Sequence, residues 1–238
     1  MKRVIVVGAT SGIGRQVALL LADSDYLVGA TGRRKEKLEQ LKSERPGTII
    51  TADFDVTTTY PVAEKLEKLQ VRLGGLDLLV ISSGVGDVNK ELDFTIEKKT
   101  IDVNVTGFTE VADWAFTFFA NQAFGHLVAI TSIAGLRGNA SAPAYNATKA
   151  FQVNYLEGLQ QKAKKLKRPI HVTDIRPGFV DTDMAKGAGQ FWVAPVEKAA
   201  RQIVSAIRDR KPVAYVTKRW ALIALVLKII PKRIYWRL

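Results

Sequence analysis

Short, uninterrupted apolar runs rich in β-branched residues alternate with longer helix-like stretches along almost the whole chain. No other feature limits the fold as much. Strands are expected at Arg3–Val7, Tyr26–Thr31, Thr48–Ala52, Leu76–Ile81, Leu127–Thr131, Ile170–Ile175 and Val213–Val216. Helical patterns fall between them at Ile13–Ala22, Glu36–Lys42, Val62–Leu73, Ile101–Ala120, Ala147–Leu166 and Val196–Arg208. Strand–helix alternation of this kind builds a parallel sheet with helices on both faces. Runs such as VIVV at 4–7 lack polar alternation, as strands covered on both sides do. The expectation is an α/β, doubly wound parallel sheet of about seven strands, a single domain over residues 1–217. A basic amphipathic tail, 218–238, follows it. With 238 residues, 47% of them hydrophobic, the chain can fill one such core.

Ligands of these sheets bind beyond the carboxyl ends of the strands. The first strand expected runs straight into GATSGIG, Gly8 to Gly14, with Thr10, Ser11 and Ile13 between the glycines. Gly8 permits a tight turn, Gly12 lets backbone approach a pyrophosphate, and Gly14 allows close packing at the helix start. Amides at that helix terminus then face the phosphates. After the second strand, where an acidic residue would bind the free 2′-hydroxyl of NAD, the sequence reads TGRR. Arg33 and Arg34 can clasp a 2′-phosphate, since guanidinium forks match phosphate oxygens, which favours NADP(H). The plainer alternative is that both arginines open a solvated helix.

Three further residues stand in a telling spacing. Tyr145 and Lys149 are four apart on an expected helix, hence on one face, and Ser132 lies just past the fifth strand. A phenol titrates near about 10 and is a poor base alone, but a neighbouring ammonium favours phenolate. A serine hydroxyl can hold a substrate oxygen against the phenol. The set suits general acid/base chemistry without a covalent intermediate. Each residue alone has a bland reading, a core tyrosine or a solvated lysine; together on the ligand edge they form a candidate site.

In these motifs, in their order and spacing, the chain resembles the short-chain dehydrogenase/reductase family from Val4 to about Val216. GATSGIG is similar to that family's cofactor loop, LDLLVISSG to its central strand, ITSIAG and YNATKA to its catalytic segments, and RPGFVDTDM to its Pro-Gly segment. The resemblance implies a hydride transfer between nicotinamide and a ketone, aldehyde or secondary alcohol, with Tyr145 as acid/base. It implies that Lys149 binds the nicotinamide ribose and lowers the tyrosine pKa, that Ser132 orients the carbonyl, and that Asn104 holds a helix open around a relaying water. It also implies adenine contacts at Asp55 and Val56, ribose contacts at Ser83 and Gly84, and carboxamide or pyrophosphate contacts at Pro177, Gly178, Val180 and Thr182. Two departures stand out: Val7 where the family carries Thr, and Ile81-Ser82-Ser83-Gly84 where it carries Asn-Asn-Ala-Gly. Neither touches the reacting atoms. A non-catalytic cofactor sensor with the same pocket is the rival class; it has no need of an intact Ser132, Tyr145 and Lys149.

The absence of cysteine and the presence of only two histidines leave no ordinary metal set, and none is expected. The segment between Asp183 and Pro195, with glycines at 187 and 189 and an apolar pair at Phe191 and Trp192, is expected either to cover an apolar substrate or to be a surface loop whose aromatics pack on the core. The resemblance also implies a homo-oligomer, dimer or tetramer, with Val111, Ala115, Phe118 and Phe119 as either interface or core. No secretory signal is read at the amino terminus, so a cytoplasmic location is expected. The net charge of +12 favours contact with anionic surfaces. The run KAKKLKR is read as a solvated helix end rather than a nucleic-acid site. The tail, KRWALIALVLKIIPKRIYWRL, has six cations, no acid and flanking Trp and Tyr. It is too short to span a bilayer and fits either a lipid interface or a cover for protein surface.

Overall fold

The computed structural model describes residues 1–58, 61–184 and 190–237. Seven strands form one parallel sheet: β1 Lys2–Val7, β2 Tyr26–Gly32, β3 Ile49–Asp53, β4 Leu78–Ile81, β5 Gly125–Ile130, β6 Ile170–Pro177 and β7 Val213–Val216, in the order β3-β2-β1-β4-β5-β6-β7. The helices are α1 Gly12–Ala22, α2 Lys35–Glu44, α3 Val62–Leu73, α4 Phe94–Ile101, α5 Phe108–Gln122, α6 Pro143–Leu166, α7 Val196–Arg208, α8 Trp220–Ile229 and α9 Lys232–Tyr235. The doubly wound α/β fold expected from the alternation is therefore the one observed.

The sheet has two cores because its side chains alternate. Ile5 and Val7 of β1 point into a layer with Leu66, Leu69, Val111 and Phe119. Val4 and Val6 point the other way, against Val17, Leu21, Ile203 and Ile207. Burial on both sides is why these strands read as continuous apolar runs. β1 pairs with β2 on one side and β4 on the other, as at Val4↔Val28 and Val4↔Leu78. The chain order reverses between β1 and β4, and a crevice opens at their carboxyl ends.

Two boundaries differ from the sequence reading in ways that matter. The single helix expected over 101–120 is instead α4, a wider π-type turn at Asp102–Gly107, and α5. The long helix α6 begins at Pro143 rather than Ala147, with the proline in its first turn, where the missing N–H costs nothing. Val111, Ala115 and Phe119 are fully buried in their own subunit and cannot form an interface; Phe118 is half-buried and stacks on Trp114. The KAKKLKR residues other than Ala163 are exposed, as a solvated helix end should be.

Candidate active site

The strand ends converge on a cavity of about 590 Å³, within the usual range for a small-molecule site. Every site residue read from the sequence lines it except two, Gly14 and Asn104, which stand immediately behind its wall.

The glycine loop is shaped by steric necessity. Gly8 has φ +90, and a Cβ there would lie 2.5 Å from the Ser83 backbone nitrogen. A Cβ on Gly14 would lie 2.2 Å from the Gly8 carbonyl oxygen. Any side chain would push the loop off β4 and fill the cradle. The first turn of α1 has no side-chain cap, because the Ser11 hydroxyl accepts from Arg34 instead. Arg34 Nη2 donates to Ser11 Oγ at 2.7 Å and to Thr10 Oγ1 at 2.8 Å. Its fork is thus held at the cradle's rim. Arg33 lies beside it, exposed, with Nη1 3.4 Å from Asp55 Oδ2. Burial opposes ionisation of Asp55, but the Thr57 N–H and hydroxyl and the Arg33 charge outweigh it, so its carboxyl titrates below the usual range. Thr182 closes the cradle from the other side, near Gly12.

The catalytic candidates meet at the centre. Ser132 caps the turn Ile133–Leu136, its oxygen accepting from the Ala134 N–H at 3.0 Å. Tyr145 projects from the first turn of α6 and is half-buried. Its ring packs so tightly on Gly86 that a Cβ there would lie 2.3 Å from it. Burial pushes the phenol above its ordinary value, and the bonded Ser132 hydroxyl acts the other way. Lys149 is 4% exposed. Its Nζ donates to Gln152 Oε1 at 2.9 Å and to the Ile130 carbonyl at 3.2 Å, and lies 5.9 Å from the Tyr145 ring centre. Desolvation brings Lys149 down to about 8, against the pull of the buried Asp174 carboxylate. The Lys149 ammonium donates to Gln152 and the Ile130 carbonyl while facing the Tyr145 ring, and burial is the first cause of the phenol's upward shift.

Asn104 sits on the π-type turn with no exposed surface. Its side chain accepts from the Val85 N–H and donates to the Val85 carbonyl, at 2.9 and 2.7 Å, pinning the strand end where the sequence lacks the usual asparagines. The widened turn offers the Asn104 carbonyl to an outside donor. Gln152 Nε2 donates to it at 2.8 Å. A buried side-chain amide, that of Gln152, thus joins Asn104 to Lys149.

Several wall residues escaped the sequence reading: Arg137, Asn146, Leu227 and Tyr235. Arg137 Nη2 donates to the Ile230 carbonyl at 2.6 Å and its guanidinium stacks 4.8 Å from the Tyr235 ring centre. The Tyr235 hydroxyl donates to the Gly138 carbonyl at 2.6 Å. The tail therefore folds back over the cleft. Only its covering role could be seen in advance, through its apolar residues. Phe191 and Trp192 do not wall the cavity. Their rings turn to the buried Trp220, at 5.1 and 6.0 Å, and Phe179, Met184 and Leu227 line the cleft instead. The glycines at 187 and 189 lie outside the described residues.

Comparisons with known proteins agree with this geometry. The sequence pattern of short chain dehydrogenases matches residues 2–191. A relative from Myxococcus xanthus (strain DK1622), an uncharacterized oxidoreductase, is 36% identical over 185 residues, covering 76% of this chain and 72% of its own. A Staphylococcus aureus (strain USA300) protein, also an uncharacterized oxidoreductase, is 35% identical over 184 residues, covering 76% and 79%. Among solved structures, ElxO with NADP bound superposes with TM-score 0.81 at 24% identity, covering 92% of this chain and 98% of its own. A short-chain dehydrogenase from Streptomyces avermitilis gives 0.83 at 24%, covering 95% and 91%. These two show a shared fold. With the matched family pattern and the relatives, they establish that the chain belongs to the short chain dehydrogenase family of oxidoreductases.

Proposed function

We propose that the protein is an NADP(H)-dependent reductase of apolar ketones or aldehydes, with Tyr145 as proton donor. The observation that carries this is the meeting of Ser132, Tyr145 and Lys149 on one cavity whose other end is the Gly8–Gly14 cradle with Arg34 at its rim.

The residues fit such a cofactor. The cradle has no room for side chains, and Ser83 Oγ, buried on the cavity wall, has no partner among the described residues. Arg34 and Arg33 would hold the 2′-phosphate, Ser83 and Gly84 the ribose, and Lys149 the nicotinamide ribose hydroxyls. Pro177, Gly178, Val180 and Thr182 would hold the carboxamide and pyrophosphate. ElxO, whose fold this chain shares, was solved with NADP bound, which supports the choice. When bound, the cofactor supplies the hydride. Ser132 orients the substrate oxygen, and the protonated phenol of Tyr145 donates to it. Burial favours the form of the tyrosine that gives a proton. Phe179, Met184 and Leu227 exclude water and favour an apolar substrate. For a homo-oligomer, the partly exposed Trp114, Phe118 and Phe151 on α5 and α6 are the better candidates; a cytoplasmic location suits the same reading.

The test is NADPH oxidation against a panel of ketones, aldehydes and quinones, with NADPH and NADH titrated in parallel. The expected result is turnover of apolar carbonyls and tighter binding of NADPH. NADPH binding without turnover of any carbonyl would favour the sensor; equal affinity for NADH would remove the arginine assignment.

A further inference from the structure

The helix α8 is apolar nearly all round but buries only one stripe. Trp220 and Ala224 are each 1% exposed, and Leu227 reaches the cavity wall. On the opposite side Leu222, Leu225, Val226 and Ile229 recur at three- and four-residue spacing and are 45–70% exposed. Helices this apolar are ordinarily wholly buried. The patch extends at both ends. Trp220 contacts the exposed Phe191 and Trp192, and past Pro231 the Trp236 side chain is 76% exposed. An apolar surface of this kind marks a contact surface rather than a face made for water.

Its charge narrows the partner. Residues 218–238 carry six Lys or Arg and no acid. Among the described residues, none of these cations has a carboxylate partner. A two-fold contact with a second copy would set this unneutralised cluster against itself. An anionic lipid surface neutralises it, accepts the apolar stripe and suits the Trp and Tyr at its edges. Among the described residues no helix is long and apolar enough to cross a membrane, so α8 would lie in the plane of the interface.

We propose that the outer face of α8 and α9 docks on an anionic phospholipid surface. Because the inner face of the same segment, at Leu227 and Tyr235, walls the active-site cleft, docking sets the cleft mouth against lipid. Apolar carbonyl substrates dissolved there then enter without crossing water. The docking itself does not depend on the proposed activity; the delivery of substrate does.

The full-length protein is sedimented with vesicles of phosphatidylglycerol and phosphatidylcholine, and with phosphatidylcholine alone. A variant carrying Leu225→Glu and Ile229→Glu is run alongside. Both positions are exposed, so the variant should keep its fold, its NADPH affinity and its turnover of a water-soluble carbonyl. The expected result is pelleting of the wild type with anionic vesicles, lost at high salt and absent with phosphatidylcholine alone. The variant should partition at least about tenfold less, since two large apolar side chains no longer enter the interface. Wild type that stays in the supernatant, or a variant that pellets equally, overturns the proposal. So does a halved solution mass in the variant with no vesicle binding by the wild type, which would make the face a contact between copies. None of these readings requires turnover, so failure of docking and failure of the proposed activity are separable.

Discussion

The cleft has two walls built by different rules. The cofactor-side wall is backbone: loops at the ends of β1, β2 and β4, fixed by Gly8 and Gly14 where any side chain would collide. The tail-side wall is side chains: Leu227, and Tyr235 clamped by Arg137, with Trp220 packed behind it on Gly178. The first wall is buried among strand ends, whereas the second leaves its back exposed. Such a contrast suits cofactor binding to the backbone wall and substrate choice to the one held by a few contacts.

Tyr145 stands where the walls meet, and its loss should be the largest effect. Tyr145→Phe should lower turnover by about 10²–10⁴-fold, the usual worth of a general acid, while NADPH titration stays close to wild type. Near-normal turnover would remove the tyrosine from the mechanism.

The next two variants separate the walls. Arg34→Ala removes the fork bonded to Thr10 and Ser11. Each lost charge-assisted bond is worth about 1.5–3 kcal/mol, so NADPH affinity should fall by ten- to a hundredfold, by the rule of about 1.4 kcal/mol per factor of ten. NADH affinity should barely change. Arg137→Ala should do the reverse, releasing Tyr235 and Ile230 from the cleft mouth. Losing one hydrogen bond and one cation–π contact should raise substrate KM about tenfold and leave the NADPH dissociation constant alone. If both constants move together in either variant, the walls are not independent.

The same contrast explains what could be read from the chain. The cofactor wall was legible because backbone turns dictate residue type locally: a glycine triplet between strand and helix has few other uses. Tyr145 and Lys149 were legible because one helical turn places them side by side. The tail's direction was not, since it rests on contacts between residues far apart in sequence, Arg137 with Ile230 and Gly138 with Tyr235. The widened turn at Asp102–Gly107 was legible only through the resemblance, which implied a helix held open at Asn104; the side-chain pattern alone reads as one helix, because the irregularity lies in the backbone, where Asn104 offers its carbonyl to Gln152. Gln152 carries no sequence signal of its own, since a polar residue on a long helix has many uses. Phe191 and Trp192 could face the cleft or pack on the core, and sequence could not choose because their partner, Trp220, lies far along the chain.

Gln152 gives the smallest expected effect and the finest test of the cofactor wall. Among the described residues its Oε1 is one of two acceptors for the buried Lys149 ammonium, the other being the Ile130 carbonyl. Lys149 sits at about 8, held down by desolvation. A lysine lowered in this way loses its charge as pH rises through that value, so the free enzyme should show kcat/KM for NADPH falling on the alkaline side near pH 8. Gln152→Leu deletes an acceptor that favours the charged form, and the limb should move to lower pH. A bond to a charged group is worth about 1.5–3 kcal/mol, and about 1.4 kcal/mol is one pH unit, so the shift should be about one to two units. Gln152→Glu places a carboxylate beside the ammonium and should move the limb the other way. Opposite displacements at similar thermal stability would identify Gln152 as a positioning residue acting through Lys149. Equal losses of activity with no displacement would reduce it to a packing role, and the link from Asn104 to Lys149 would then carry no charge.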